Sequence, residues 1–218
     1  MYLAVHDGSL YAGGPMGVLR YERRTVLEAV DDHPPSVAWY GGKHGFAGPP
    51  TVHDGRLLVG YEDAGGAGAV KALDPSDGGT VWTALPLPND TPVEQQWASS
   101  PVVVDGTAVV GVTRWLTEGR EHALVGLDAA DGRERWRRRA VSWLPDVAAG
   151  RRTVLFATSH DDAPDAPAGD APPGSVWALA PDGTERWRVG FEAGVRAIAP
   201  VGDTVFALLV DGRVVALR

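Results

Sequence analysis

The sequence predicts an all-β fold, a β-propeller or a segment of one, with about five four-stranded antiparallel blades, the last of them incomplete. Three observations carry that expectation. A strand, an acidic-glycine turn and a second strand with a tryptophan recur as Ala72–Trp82, Gly126–Trp136 and Ala178–Trp187. An Asp-Gly pair between apolar runs recurs at Asp7-Gly8, Asp54-Gly55 and Asp105-Gly106, spaced 47 and 51 residues apart. The tryptophans at 82, 136 and 187 are spaced 54 and 51, so two markers share one period. Four short strands repeated every 40 to 50 residues or so is the signature of propeller blades. Gly 28 and Pro 17 among 218 residues supply the many turns such a fold needs.

Taken in order, the repeats place five units near residues 1–44, 45–94, 95–143, 144–192 and 193–218. Val5–Tyr11, Val52–Leu58 and Val104–Val109 open the first three as strand, Asp-Gly turn, strand. Both turn residues tolerate positive φ, which makes Asp-Gly between alternating apolar residues a strong hairpin signal. Weaker copies are Ala149–Val154 and Val201–Phe206. In the third unit the strands fall near Ser100–Val104, Ala108–Thr113, Ala123–Asp128 and Glu134–Ala140. In the first, Leu19–Leu27 reads as a shortened turn with an aliphatic residue where the tryptophan belongs. The fifth stops at Val214–Arg218 after its third strand.

Alternating strand direction puts both recurrent turns of a unit at one end of its sheet. The connections from strand two to three, and from strand four onward, lie at the other end. Their predicted lengths vary, from Gly13–Gly17 through Glu62–Gly68 and Arg114–His122 to Ser159–Gly174. The blade-to-blade loops include Asp31–Gly45 and Leu85–Gln96. Recognition usually lives on loops carried by a rigid scaffold, so this variable side is the expected functional surface.

Composition narrows the function classes. A net charge of −8 argues against a general nucleic-acid binder, which needs a basic footprint. With no cysteine there is neither a disulfide staple nor a thiolate metal site. No apolar run of about 18 residues predicts a membrane span. Met1 leads directly into Tyr2-Leu3-Ala4-Val5 without the charged and apolar regions of a secretory leader. The expectation is either a cytoplasmic protein or a chain that starts after a leader.

The repeats resemble the PQQ-like, or quinoprotein-like, β-propeller family, whose consensus runs Ala-Leu-Asp, a small turn, Gly and then Trp. Trp82, Trp136 and Trp187 match that tryptophan, and Ser99–Gly106 matches the opening of the first strand. The resemblance implies that these three tryptophans pack between neighbouring blades and fasten them. It also implies rings of seven or eight blades. Three arrangements therefore stay open: a segment of a larger ring, a five-bladed ring, and an arc completed by an associating partner. An extracytoplasmic or cell-envelope setting follows from the same resemblance, as for the outer-membrane assembly propellers.

No catalytic residue and no cofactor are expected. A quinoprotein dehydrogenase, as the family has them, uses a longer chain, a channel calcium and often a vicinal cysteine pair. Asp161, Asp162, Asp165 and Asp170 are the weak metal candidates, since several carboxylates in one loop could hold calcium. They lack the spacing of a calcium loop, and the interleaved prolines read as a solvated segment. His33, His44 and His122 could converge on a metal only if three units brought them together. His6 and His53 recur at one place in the turn and belong to the repeat. Arg133, Arg135, Arg137 and Arg139 alternate along an outermost strand, where a charged row blunts edge pairing or meets an acidic partner.

Trp39, Tyr40, Trp97, Trp115 and Trp143 fall outside the fastening position, in or beside variable-side loops. Aromatic anchors there suit peptide or glycan binding, which makes them the candidate binding face. The sequence thus points to a non-catalytic binding or scaffold module with a protein, peptide or glycan ligand. Two alternatives stand beside it: a fragment or subunit of a quinoprotein dehydrogenase, and the sensor propeller of a membrane-tethered protein kinase.

Overall fold

The structure, a computed structural model, describes residues 2–14, 17–22, 37–41, 45–63, 68–85, 95–116, 119–140, 147–159 and 173–218. Among these every regular element is a strand, and no helix is long and apolar enough to cross a membrane. The chain divides into two compact units, Met1–Pro88 with Gln95–Pro101, and Asn89–Glu94 with Val102–Arg218.

The first unit holds β1 (Tyr2–His6), β2 (Ser9–Gly14), β3 (Gly17–Glu22) and β4 (Val37–Gly41) as one antiparallel sheet in chain order. Its second sheet comprises β5 (Gly45–Ala47), β6 (Thr51–His53), β7 (Arg56–Asp63), β8 (Gly68–Leu73) and β9 (Thr80–Ala84). Strands β5 and β6 both pair with β7 and form one edge interrupted at Gly48-Pro49-Pro50, where prolines can donate nothing to the ladder. Tyr11, Val18, Leu57, Val59, Tyr61 and Leu73 make the core between these two sheets. Strand β10 (Gln95–Ala98) lies against β7 and β8. Gly60 permits that approach, because a Cβ there would stand 2.1 Å from the Ser99 carbonyl oxygen. Buried Gln96 ties the strand down by donating from Nε2 to the Gly68 carbonyl at 2.7 Å.

The second unit begins with a sheet of β11 (Val102–Val104), β12 (Thr107–Leu116), β13 (Gly119–Asp128) and β14 (Glu134–Ala140). A second sheet follows as β15 (Val147–Ala149), β16 (Val154–Ser159), β17 (Gly174–Leu179) and β18 (Glu185–Phe191). The last has three strands, β19 (Val195–Val201), β20 (Thr204–Leu209) and β21 (Val214–Leu217). Val104, Val109, Leu124, Val154, Phe156 and Leu179 form the core between the first two of these sheets. Leu155, Ala157, Val176, Ala178, Val195, Ile198 and Leu209 form the next one.

The recurrent turns have the geometry their residues imply. Asp7, Asp54 and Asp105 sit at φ 45°, 44° and 47°, each followed by glycine at 69–70°. Two successive left-handed residues match the twist of the flanking strands, and Asp and Gly adopt them at least cost. In the Leu-Asp-x-x-Asp-Gly turn the backbone closes on itself: Asp128 N donates to the Arg133 carbonyl at 2.7 Å and Gly132 N to the Asp128 carbonyl at 2.8 Å. The Asp128 carboxylate accepts from Ala130 N at 2.8 Å, and Asp74 accepts likewise from Ser76 N. In each strand pair flanking such a turn the register shifts beside the tryptophan, with Ala72 opposite Trp82, Gly126 opposite Trp136 and Ala178 opposite Trp187.

Two expectations need correcting here. The fourth strand of the first sheet is β4, and Trp39, not an aliphatic residue, stands opposite Arg20 beside the same register shift. Trp39 therefore occupies the repeat's tryptophan position rather than a free loop. The predicted loop Arg114–His122 is also largely strand, since β12 and β13 stay paired out to Leu116 and Gly119.

Candidate functional site

The site lies in the second unit, where β14 faces β16 and β17. Along β14 burial alternates, with Trp136, Arg138 and Ala140 half-buried and Arg135, Arg137 and Arg139 exposed. Alternation follows from the two-residue period of a strand, so the two sets occupy opposite faces. Trp136 reaches the next sheet: its Nε1 donates to the Pro181 carbonyl at 2.7 Å. Glycines leave room for the indole, because a Cβ at Gly126 would stand 2.3 Å from the ring and one at Gly183 2.8 Å. Arg138 joins the same two sheets through a 2.8 Å ion pair with Glu185.

Above that contact the second sheet presents a ladder of flat side chains. Phe156, Trp177 and Arg188 stand directly opposite one another on β16, β17 and β18. The Phe156 and Trp177 rings stack with centroids 5.5 Å apart and planes within 11°. The Arg188 guanidinium carbon lies 4.6 Å from the Trp177 ring centroid, and that of Arg138 lies 5.1 Å away. Cations over an indole face gain about 0.5–2 kcal/mol. Between this ladder and β13–β14 is a cleft of about 210 Å³, lined by Leu124, Arg138, Arg139, Ala140, Phe156, Thr158 and Trp177. Trp177 Nε1 is buried and has no acceptor among the described residues. A buried donor without a partner is costly.

Near the other end of the first sheet of this unit, β12 and β13 carry a polar group. Arg114 pairs with Glu121 at 2.5 Å, and buried His122 shares a 3.0 Å hydrogen bond with Thr113 Oγ1. Burial, then the Arg120 charge, holds the His122 pKa below its ordinary value. Both causes favour the neutral imidazole. The turn aspartates shift downward as well. Arg135 first and the Ala130 amide second stabilise the Asp128 carboxylate, and Ser76 does the same for Asp74.

The expected site residues are dispersed. Trp39 and Tyr40 lie in β4, Trp97 in β10 and Trp115 in β12, so none of these four is in a loop. Trp97 is half-buried, and Trp115 is half-buried under Arg120 at 5.9 Å. Trp143, the four aspartates 161, 162, 165 and 170, and His33 and His44 lie outside the described residues. Among the described residues no three His, Asp or Glu side chains converge. The arginine row is largely engaged within its own sheet. Arg135 binds Asp128 at 2.8 Å and Thr107 Oγ1 at 2.6 Å, Arg137 binds Glu134 at 2.6 Å, and Arg133 precedes the strand. The three fastening candidates differ in environment: Trp82 is buried, Trp136 half-buried and Trp187 36 % exposed.

Sequence reasoning passed over Trp177, Phe156 and Arg188. A signal was available, because the repeat places Lys71 and Val125 where Trp177 stands. An aromatic that departs from the repeat at a half-buried strand position marks one sheet as special.

Sheets of four short antiparallel strands joined by left-handed Asp-Gly turns define a β-propeller segment of the PQQ-like repeat class. The family described as "Outer membrane protein assembly factor BamB" matches residues 66–218, and the chain belongs to it. Among solved structures, the quinohemoprotein alcohol dehydrogenase from Comamonas testosteroni is similar with a TM-score of 0.69 at 16 % identity; the match covers 99 % of this chain. It covers 40 % of the dehydrogenase, so this chain spans about two fifths of that protein's length. BBS1N in complex with ARL6DN is similar at 0.59 and 13 % identity, covering 96 % of this chain and 60 % of that one. The computationally designed Ika4 protein is similar at 0.58 and 14 % identity, covering 82 % and 95 %. No curated protein matches this chain in sequence. At these identities the structural likeness establishes the fold.

Proposed function

We propose that this chain is a non-catalytic protein-binding propeller of the cell envelope, with the cleft beside Trp177 as its recognition site. The observation that carries the reading is the cleft itself, an apolar recess walled by aromatic side chains and edged by guanidinium groups. Recesses of this kind, an aromatic anchor wall with a few polar groups, are how rigid scaffolds recognise partners. The family's description as an outer-membrane assembly factor supports the setting, and a similar propeller in a protein complex supports the mode. In this reading Trp82, Trp136 and Trp187 are fasteners of the scaffold. The hydrogen bond from Trp136 Nε1 to the Pro181 carbonyl supports that role.

A photo-crosslinking residue at position 140 tests the reading. In cells it captures one discrete protein adduct that the same residue at position 137, on the opposite face of β14, does not. A dye-reduction assay after loading with PQQ and calcium runs beside it. Turnover there, with no site-specific adduct, would replace this reading with the dehydrogenase one.

A further inference from the structure

We infer that the cleft between β14 and β17 binds an acidic peptide segment that inserts one apolar side chain. The inference rests on the binding reading above and specifies the ligand's chemistry. The walls contributed by Leu124, Ala140, Phe156 and Trp177 are apolar, which calls for an apolar insert. The charge around the recess is positive although the chain carries −8 overall. Arg138 and Arg188 flank the Trp177 ring. Glu185 neutralises Arg138. Arg188 has no carboxylate partner among the described residues, so the local field favours an anion.

The same geometry decides between peptide and glycan. Sugar rings bind by lying on an open aromatic face. Here Phe156 stacks on one flank of Trp177 and Arg188 on the other, each standing opposite it across the strands. No open indole face is left for a sugar ring, and the apolar recess beside it suits an inserted side chain.

Fluorescence anisotropy on the full chain tests this with a fluorescein-labelled decapeptide of aspartate and glutamate around one central leucine. Saturable binding is expected, weakened at least tenfold when the leucine becomes glycine and abolished when the acids become lysines. Arg188→Glu, an exposed substitution, weakens it at least tenfold, and Ala140→Trp, which fills the recess, does the same. Arg137→Glu on the opposite face changes it by less than twofold. Far-UV circular dichroism and melting confirm that each variant folds. The inference is overturned by absence of saturable binding, by equal binding of the glycine peptide, or by indifference to both Arg188→Glu and Ala140→Trp. Binding of maltohexaose or a chitin oligosaccharide that the peptide cannot displace also overturns it. If the crosslink at position 140 persists while the acidic peptide fails, the ligand class is wrong and the binding function stands.

Discussion

The substitution Gly126→Ala isolates what holds the first two sheets of the second unit together. Gly126 lies within β13 and has no positive φ, so the alanine backbone is unstrained there. The obstacle is the neighbour: an added Cβ would stand 2.3 Å from Trp136 Cε2 and 2.4 Å from its Nε1. Carbon atoms in contact rest near 3.5–4.0 Å, so the indole must retreat by about 1 Å. Gly183 and its turn close the far side, where a Cβ would already lie 2.8 Å from the ring. Retreat therefore strains the turn and breaks the Trp136–Pro181 hydrogen bond. Overpacking costs about 1–3 kcal/mol and a lost hydrogen bond about 0.5–1.5. The smaller unfolded-state entropy of alanine offsets about 0.4–1. A net loss of about 2–3 kcal/mol follows, a drop in melting temperature of about 4–12 °C for a chain of this size. Urea unfolding followed by circular dichroism measures it. In a Trp136→Ala background the same glycine change costs less than about 0.5 kcal/mol, because the obstacle is gone. A neutral Gly126→Ala, or an equal cost in both backgrounds, would refute the reasoning.

Further outcomes follow from the same geometry. Trp136→Ala costs about 3–4 kcal/mol in urea unfolding, while Trp187→Ala, 36 % exposed at the start, costs no more than about half of that. Gly60→Ala is the most damaging glycine change in the first unit, since backbone oxygens of Ser99 and Ala98 lie 2.1 and 2.4 Å from the added Cβ. Gly14→Ala meets nothing within 4 Å, and its melting temperature stays level or rises slightly. His122 has its pKa depressed by burial, so its neutral form stabilises the fold fully above the unfolded value near 6.5. That contribution is lost as pH falls from about 6.5 toward the folded pKa, and His122→Gln flattens the melting temperature over that range. Asp128, held low chiefly by Arg135, contributes above about pH 4 and stops contributing as pH falls through its lower folded pKa. Asp128→Asn keeps an acceptor for Ala130 N and removes the acid dependence, which melts at pH 3 and pH 7 compare.

Much of the fold was legible in the sequence because the repeat writes the same local physics several times. Asp-Gly at 7, 54 and 105 can hardly form anything but a left-handed two-residue turn, and the structure has those turns. The tryptophans at 82, 136 and 187 share one register for the same local reason. Where the local signal was ambiguous, reading failed. Trp39 reads as a loop aromatic until β4 is seen to pair with β3, which sets it opposite Arg20. Likewise Trp115 reads as a loop aromatic until β12 and β13 are seen to pair through it, opposite Arg120.

The sequence by itself determined the class of fold, the turns and the tryptophan register, because these depend on residues adjacent in the chain or set by strand period. The tertiary structure alone decided that Trp39 joins that register, and that Phe156, Trp177, Arg188 and Arg138 meet around one cleft. Those four come from four strands in two sheets, and no spacing along the chain encodes which sheet faces which. The candidate site is a product of packing between repeats, whereas the repeat itself is a product of local chemistry.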